Sequence, residues 1–207
     1  VVFFLFLIAL RRKFLFKNYK KLFLFLFLFT IFASSLILFS DSYRPDAGLY
    51  HYPFINILND NKIIIGLSNL HFRFGHISII QYVSAIFNNN IFGLQGITMP
   101  LAILIALVVC YLSAEIIEYS KDPKYKFYNI FNSCILVYFA FKINRYSEYG
   151  NDAPGHALAF LLISLFIKNC SVKKFQNNDL LLIATYIFTV KSTLIFYLII
   201  PIFIFIK

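Results

Sequence analysis

The sequence predicts an all-α protein, a polytopic bundle of transmembrane helices with a long outer loop that carries surface helices. The first observation is composition: 60% of the residues are apolar and 20% are aromatic, whereas soluble domains are about 45–50% apolar. The second is that long apolar runs alternate with short polar loops. The third is that every second loop is strongly basic, which is the charge pattern of a protein that crosses a membrane several times.

Four apolar runs are predicted as the first membrane spans, because a helix needs roughly 20 residues to cross the hydrocarbon core. The last two of these runs are short, so we expect tilt or local thinning of the bilayer to help them cross. Pro100 is expected to kink the second span. The four predicted spans are 22–39, 91–117, 127–141 and 155–167.

The last apolar stretch, 179–206, contains Lys191 near its middle. A single long helix would place this lysine in the centre of the bilayer, at a cost of several kcal/mol. The favoured prediction is therefore two short helices, 179–190 and 194–206, that turn near Lys191 at the outer surface.

The charge alternation also predicts sidedness. The basic loops 11–21, 118–126 and 168–178 are expected inside, and loops 40–90 and 142–154 outside. The localisation that follows from this pattern is an integral membrane protein. Both ends of the chain lie in or beside apolar runs, and residues 1–207 are expected to be a single transmembrane domain and a fragment of a longer protein.

The net charge of +10 does not indicate nucleic-acid binding, because the basic residues lie at the ends of apolar runs instead of along one polar face. Anionic membrane lipids are the expected partners of these residues. Cys110, Cys134 and Cys170 form no motif, and they are interpreted as structural thiols.

The outer loop 40–90 is too long to be a simple connection. Pro53 fits the first turn of a short helix that ends near Asp60. Residues 76–87 have apolar side chains at three-to-four spacing and are followed by three asparagines. That pattern predicts an amphipathic helix lying on the membrane surface.

The start of this loop carries the first group of candidate site residues, Asp41, Arg44, Asp46 and His51. Asp46 lies just past the predicted end of a membrane helix. A carboxylate there can take a proton from an acceptor hydroxyl or hold a divalent cation. The alternative is that Asp46 is only a solvated loop acid or a helix cap.

Further candidates come from three other segments. Arg73 can bind a phosphate in a bidentate fork, or it can pair with Asp60 or a lipid headgroup. Asp152 precedes Pro154 and can either take part in the site or cap the following helix. Lys191 can either neutralise a phosphate or only extend its ammonium group to the membrane surface. The complete set in these segments is Asn69, His71, Arg73 and His76, then Arg145, Glu148 and Asp152, then Lys191.

The arrangement of one membrane helix followed by a long outer loop, with an acid near its start and two surface helices, resembles the GT-C superfamily of glycosyltransferases. The stretch from Thr189 to Pro201 resembles the corresponding turn in the protein-mannosyltransferase-like branch. Tyr50-His51-x-Pro53, together with the segment from Gly66 to Ser78, resembles a poorly characterised set of bacterial polytopic proteins related to that superfamily. The resemblance covers roughly residues 20–206.

The resemblance implies transfer of a sugar from a polyprenyl-phosphate-linked donor to an acceptor on the outer face. Asp46 takes the place of the first-loop acid, as general base or metal ligand. Arg73, Arg145 and Lys191 would stabilise the departing phosphate, and Asp152 or Glu148 would orient the acceptor or support a metal. Asp41, Arg44, His51, Asn69 and His71 complete the implied substrate site.

This chain departs from the superfamily in one respect. The usual adjacent pair of acids is absent, since Asp41 and Asp46 are five positions apart. Use of a divalent cation and the choice of the catalytic acid are therefore left open. The resemblance to bacterial proteins also implies a localisation in the bacterial inner membrane, in the cell envelope.

Two other functions compete with the enzyme. A transporter or flippase of a lipid-linked glycan would need polar groups along a path through the membrane, and the predicted spans contain few. A structural membrane subunit without chemistry is the second alternative, and no motif in the sequence excludes it.

Overall fold

The computed structural model describes residues 45–60, 64–75, 78–142, 149–172 and 177–206, together with positions 24, 28, 31–32 and 34–35. The described part is all-helical and contains no strand. The predicted span 22–39 lies mostly outside the described residues, and the positions described within it are helical. The predicted inner loop 11–21 lies wholly outside them.

Eight α-helices follow one another along the described chain, and short π- or 3-10-helical turns connect several of them. The turns are Ala47–His51, Phe72–Gly75, Gly93–Thr98, Pro123–Tyr125 and Ser192–Leu198. The α-helices are α1 (Tyr52–Asp60), α2 (Leu67–Leu70), α3 (Ile79–Phe87), α4 (Met99–Tyr119), α5 (Lys126–Phe141), α6 (Asp152–Val172), α7 (Asn177–Val190) and α8 (Ile199–Ile206).

The segments before α4, residues 45–60, 64–75 and 78–92, are called the cap here. Helix α1 continues directly from the turn Ala47–His51, since Tyr52 also has helical backbone. Pro53 therefore lies within a longer helical stretch and not in the first turn that the sequence predicted. Helix α3 starts at Ile79, later than the predicted 76, because Ser78 caps it and Gln81 completes the capping box. Asn88 ends α3, and α1 packs against α3.

Helix α3 turns its polar side inward. Gln81 and Ser84 are buried, whereas Ile79 and Ile86 are exposed. In water a helix of this composition would hide the isoleucines, so the inward polar face must have hydrogen-bonding partners inside the protein. Those partners come from two distant parts of the chain and define the candidate site.

The cap rests on the start of α4. The turn Gly93–Thr98 packs against α3, and a Cβ on Gly96 would lie 2.0 Å from the carbonyl oxygen of Phe87. Only glycine fits at this contact. Pro100 lies at the junction between the turn and α4, in the first helical turn, so it marks a helix start instead of the predicted kink.

Helices α4, α5 and α6 pack against one another, and α7 packs against α6. The core is aliphatic and continuous across these elements. Its largest fully buried side chains in the bundle are Leu101, Leu104 and Leu112 of α4, Leu158, Leu161 and Leu162 of α6, and Leu180 of α7.

Helix α6 is longer than the predicted 155–167. It begins at Asp152, since Pro154 falls in the first turn, where helices tolerate proline. It continues to Val172, and its later part includes Lys168, which is buried and paired with Glu115 of α4. The 21-residue helix needs no thinning of a membrane to cross it.

The chain breaks at Lys191. Helix α7 ends at Val190, and Lys191 adopts extended backbone before the turn Ser192–Leu198 leads into α8. The sequence analysis placed its turn at the same residue. The observed turn continues as a 3-10 helix from Ser192 instead of opening into a loop before residue 194.

A polar cluster joins α4, α5 and α6 at the end of the bundle away from the cap. Glu115 accepts hydrogen bonds from Lys168 and from the Tyr128 hydroxyl, the latter at 2.7 Å. Next to it, Ser164 donates to Asn132 Oδ1 at 2.7 Å. Glu115 and Lys168 lie at the same depth, each about 24 Å along its helix from the first residue.

Two helices in the described residues are long and apolar enough to cross a membrane, judged by length and composition. They are Gly93–Tyr119 and Asp152–Val172, and half of the apolar stretch of each is buried inside the protein. Two shorter apolar helices, Asn178–Val190 and Ser192–Phe205, follow.

Breaking the buried pair on one side should destabilise the fold. Lys168→Met leaves the Glu115 carboxylate buried without its cation, and we expect a loss of about 3–5 kcal/mol in the free energy of unfolding. Glu115→Gln combined with Lys168→Met should recover much of that loss. Denaturant unfolding of the purified protein measures both, with the exposed Lys126→Met as control. A double variant no more stable than Lys168→Met would contradict this account.

Candidate functional site

An ion pair joins the start of the cap to its middle. Arg73 Nη1 lies 2.9 Å from Asp46 Oδ1, although 27 positions separate the two residues. The side chains are 38% and 56% exposed, respectively. The pair therefore lies at the surface, where it is open to an incoming ligand. The hydrogen bond that Arg73 donates to Asp46 raises the pKa of Arg73 above its usual value.

Aromatic rings hold the Arg73 guanidinium from two sides. Its central carbon is 4.7 Å from the centre of the Tyr50 ring and 5.7 Å from that of Phe72. His71 stacks on both rings, with centroid separations of 6.4 Å and 5.2 Å. Cation–π contacts of this kind orient a guanidinium, so Arg73 is fixed before any ligand binds.

His51 lies beneath this layer and is 4% exposed. Its ring is 4.1 Å from that of Tyr50, and its Nδ1 is 3.1 Å from the Gln81 side-chain nitrogen on α3. Burial lowers the pKa of His51 to about 4, against the opposing effects of Asp46 and Asp152. His51 is therefore neutral at pH 7.

Tyr149 ties the segment before α6 to the same place. Its hydroxyl donates to Ser84 Oγ on α3 at 3.0 Å, across 65 positions of sequence. Its ring meets His51 edge-on at 5.4 Å. The polar face of α3 thus contacts His51, near the start of the cap, through Gln81. It contacts Tyr149, in the segment before α6, through Ser84.

Asp152, the first residue of α6, pairs with Lys191 at the break between α7 and the next turn. Gly155 lies at the same contact: a Cβ there would lie 2.9 Å from Leu194 Cδ1, the movable end of that side chain, and 3.8 Å from Lys191 Cβ. Lys191 is partly buried, whereas Asp152 is mostly exposed. This second ion pair joins three elements at the cap end of the bundle.

The two ion pairs share one electrostatic environment. Asp46 and Asp152 both raise the pKa of His51 against the effect of burial. Burial is the main cause that raises the pKa of Tyr50, and both carboxylates add to it. Residues more than a hundred positions apart therefore act on the same two side chains, and the sequence analysis grouped them as one site.

Other predicted site residues have different positions. Asn69 lies on the exposed side of α2, where its backbone N–H donates to Gly66 in a turn. Arg73 pairs with Asp46, and not with Asp60 as the alternative interpretation supposed. Five predicted residues lie outside the described part of the chain: Asp41, Arg44, His76, Arg145 and Glu148.

Two residues of the site were not assigned roles from the sequence: Tyr50 and Tyr149. Gln81 and Ser84 were expected on the polar side of the helix 76–87 or at the site, and both lie on its inward face. Gln81 also stands three positions after Ser78 and so fits a capping box. Tyr50 lies within a motif that was noted for resemblance alone. Tyr149 had no local pattern, because its partner Ser84 is distant in sequence.

The part of the chain that the structure describes contains no complete set of metal ligands. There, three or more His, Cys, Asp or Glu side chains do not come together in a group that could hold an ion. Asp46 and Asp152 each offer a single exposed carboxylate, already paired with a cation.

A protein-family model described as "Domain of unknown function (DUF8201)" matches residues 2–207. No curated protein and no solved structure matches the chain. The match covers nearly the whole sequence, so the cap and the bundle fall within one family model.

Acid should destabilise the fold through His51. In the unfolded chain this residue titrates near 6.5, and in the fold its pKa is about 4. Between these values the unfolded state binds more protons, so the free energy of unfolding decreases as the pH falls, by about 3 kcal/mol from this residue. Denaturant unfolding from pH 7 to pH 4 measures the decrease, and His51→Gln should flatten it. Equal slopes for both proteins would contradict the assignment.

Proposed function

We propose that this chain, which belongs to the DUF8201 family, is a membrane glycosyltransferase. It would transfer a sugar from a polyprenyl-phosphate-linked donor to an acceptor at the outer face of a bacterial inner membrane. The observation that carries the proposal is the exposed Asp46–Arg73 pair, which lies against Tyr50 and beside His51. A carboxylate and a fixed guanidinium are the two groups that the reaction needs.

Membrane insertion of the bundle is supported by its surface. Beside the two helices long enough to span, α5 exposes large apolar side chains along one side, and the segment from the Lys191 break to α8 exposes more. A bilayer would cover them. They are Phe127, Ile130, Val137 and Phe141 on α5, and Ile195, Phe196, Ile199, Ile202, Phe203 and Phe205 near the end.

The site lies where a lipid-linked donor and a water-soluble acceptor would meet. Helix α6 begins at Asp152, and α4 begins beside α3. If both helices cross the membrane, then the cap and both ion pairs lie at one boundary of the bilayer. The exposed apolar edge of α3 supports a position along that surface, and its nine residues, about 14 Å, are too few to cross.

The proposed reaction uses the two partners of the Asp46–Arg73 pair in turn. The donor phosphate binds Arg73, which has further N–H groups beside the one that meets Asp46. Asp46 then accepts the proton of the acceptor hydroxyl, whose oxygen attacks the anomeric carbon. The bond from that carbon to the phosphate oxygen breaks, and Arg73 and Lys191 stabilise the charge on the departing phosphate.

A divalent cation is compatible with this scheme only if the protein and the substrate share its coordination. Asp46 or Asp152 would contribute one oxygen each, and substrate phosphate and water would supply the others, as is usual for magnesium. Asp152 would otherwise orient the acceptor. Glu148 and Arg145, which lie outside the described residues, keep the roles that the resemblance implies.

One observation favours the second candidate, a transporter or flippase of a lipid-linked glycan. The sequence suggested few polar groups within the spans, yet Glu115, Lys168 and Asn132 are buried together inside the bundle. Buried ionisable groups in membrane helices often mark a transport path. This cluster is confined to the end away from the cap, however, so it does not by itself connect the two faces.

Asp46→Asn tests the enzyme directly. It keeps size and hydrogen bonding but removes the basic carboxylate, so transfer of labelled sugar by the protein in nanodiscs should fall roughly a hundredfold or more. Asp60→Asn, at an exposed position at the end of α1, is the matched control and should transfer normally. Normal transfer by Asp46→Asn would move the base to Asp41 or Asp152. Normal transfer with all three neutralised would rule out these three carboxylates as the base, whereas no transfer by the unmutated protein would favour the transporter.

Sidedness has its own test. Ser68→Cys is in the exposed cap and Ser171→Cys is near the end of α6. With Cys110, Cys134 and Cys170 replaced, an impermeant thiol reagent applied to intact cells should label the first and spare the second. Labelling of the second position alone would reverse the proposed topology.

A further inference from the structure

We propose that His51 is a neutral hydrogen-bond donor that binds a hydroxyl group of a carbohydrate substrate, and that Gln81 positions it by fixing its tautomer. The assignment of a carbohydrate ligand rests on the proposed function. The assignment of the His51 tautomer is independent of the proposed function, because it follows from the contacts of the imidazole ring alone.

The orientation of Gln81 is set by the cap of α3. The backbone N–H of Ser78 is a donor, and it lies 3.1 Å from the Gln81 side-chain oxygen. The amide nitrogen of Gln81 must then be the atom that faces His51 Nδ1 at 3.1 Å. An amide NH₂ group only donates, so Nδ1 accepts and the ring proton is on Nε2.

The Nε2 edge of His51 lies near Gly150, which has no side chain. A Cβ added to Gly150 would lie 3.8 Å from Nε2. The next residue, Asn151, has a buried side-chain oxygen with no hydrogen-bonding partner among the described residues. A buried acceptor without a partner is costly. The Nε2 donor thus lies near Gly150, and the acceptor without a partner belongs to the next residue along the chain. A hydroxyl group can satisfy one donor and one acceptor.

Burial decides which kind of ligand fits. His51 is 4% exposed, so only a small group can reach Nε2, and a phosphate would also call for a charged imidazole. Arg73 and Lys191 already offer cations at the exposed level of the site. A neutral hydroxyl at His51 and an anion at Arg73 are the two ends expected of a sugar phosphate.

Nitrogen NMR of the full chain in nanodiscs, with ¹⁵N-labelled histidine, reads the tautomer. His51→Gln identifies the resonance. At pH 7 the proton should be on Nε2, and Gln81→Glu should move it to Nδ1 or charge the ring, because a carboxylate accepts where the amide donated. Gln95→Glu makes the same change at an exposed position and should leave His51 unaltered. A proton on Nδ1 in the unmutated protein would overturn the proposal.

Methyl glycosides of mannose, glucose, galactose and N-acetylglucosamine probe the hydroxyl site in the same sample. At least one glycoside should shift the His51 resonances saturably. Asn151→Leu should lower the affinity for that glycoside roughly tenfold, as the loss of a buried hydrogen bond does. Asn90→Leu, in an exposed turn, is the control. No response to any glycoside would overturn the binding role.

The transfer assay separates the inference from the proposed function. His51→Phe should raise the KM for the substrate whose hydroxyl it binds by roughly tenfold or more, and His51→Gln should restore part of it, since its amide can replace the Nε2 donor. An unchanged KM in an active enzyme would refute the role of His51. A glycoside response without any transfer would refute the enzyme and keep the carbohydrate site.

Discussion

The inward polar face of α3 holds the candidate site together. Gln81 and Ser84 are buried on that face, and a buried polar group needs a partner. Gln81 meets His51 of the cap, and Ser84 meets Tyr149 just before α6. Both partners belong to segments distant in sequence, so these two contacts bring the cap start and the segment before α6 together at α3. The packing of His51 against Tyr149 then completes the contact.

A second polar constraint acts at the opposite end of the bundle. The Glu115–Lys168 pair fixes α4 and α6 at the same depth, so both helices start at the level of the cap. Asp152 is thereby placed where it pairs with Lys191 and acts on His51. Polar contacts at both ends therefore set the register of an apolar bundle, whose aliphatic contacts alone would allow the helices to slide.

Much of the fold could be predicted because apolar runs, prolines and caps are local features. The break at Lys191 followed from the cost of a lysine within a long apolar helix. The length of α6 was hard to predict, because Lys168 is buried in the bundle beside a partner, Glu115, that lies 53 positions away. In the site, Asp46, Arg73 and Asp152 were recognisable as charged residues near helix ends. Their partners and the role of Tyr149 depend on contacts between distant segments, which no local pattern records.

The central claim is that the cap and the start of α6 form one site for a lipid-linked sugar. A photoreactive polyprenyl-phosphate sugar, cross-linked to the protein in nanodiscs and mapped by peptide mass spectrometry, tests it most directly. The account predicts adducts in both segments that meet at α3, around residues 45–52 and 149–156, and their loss when unlabelled donor competes. Adducts confined to the opposite end of the bundle, around residues 120–126, would contradict it.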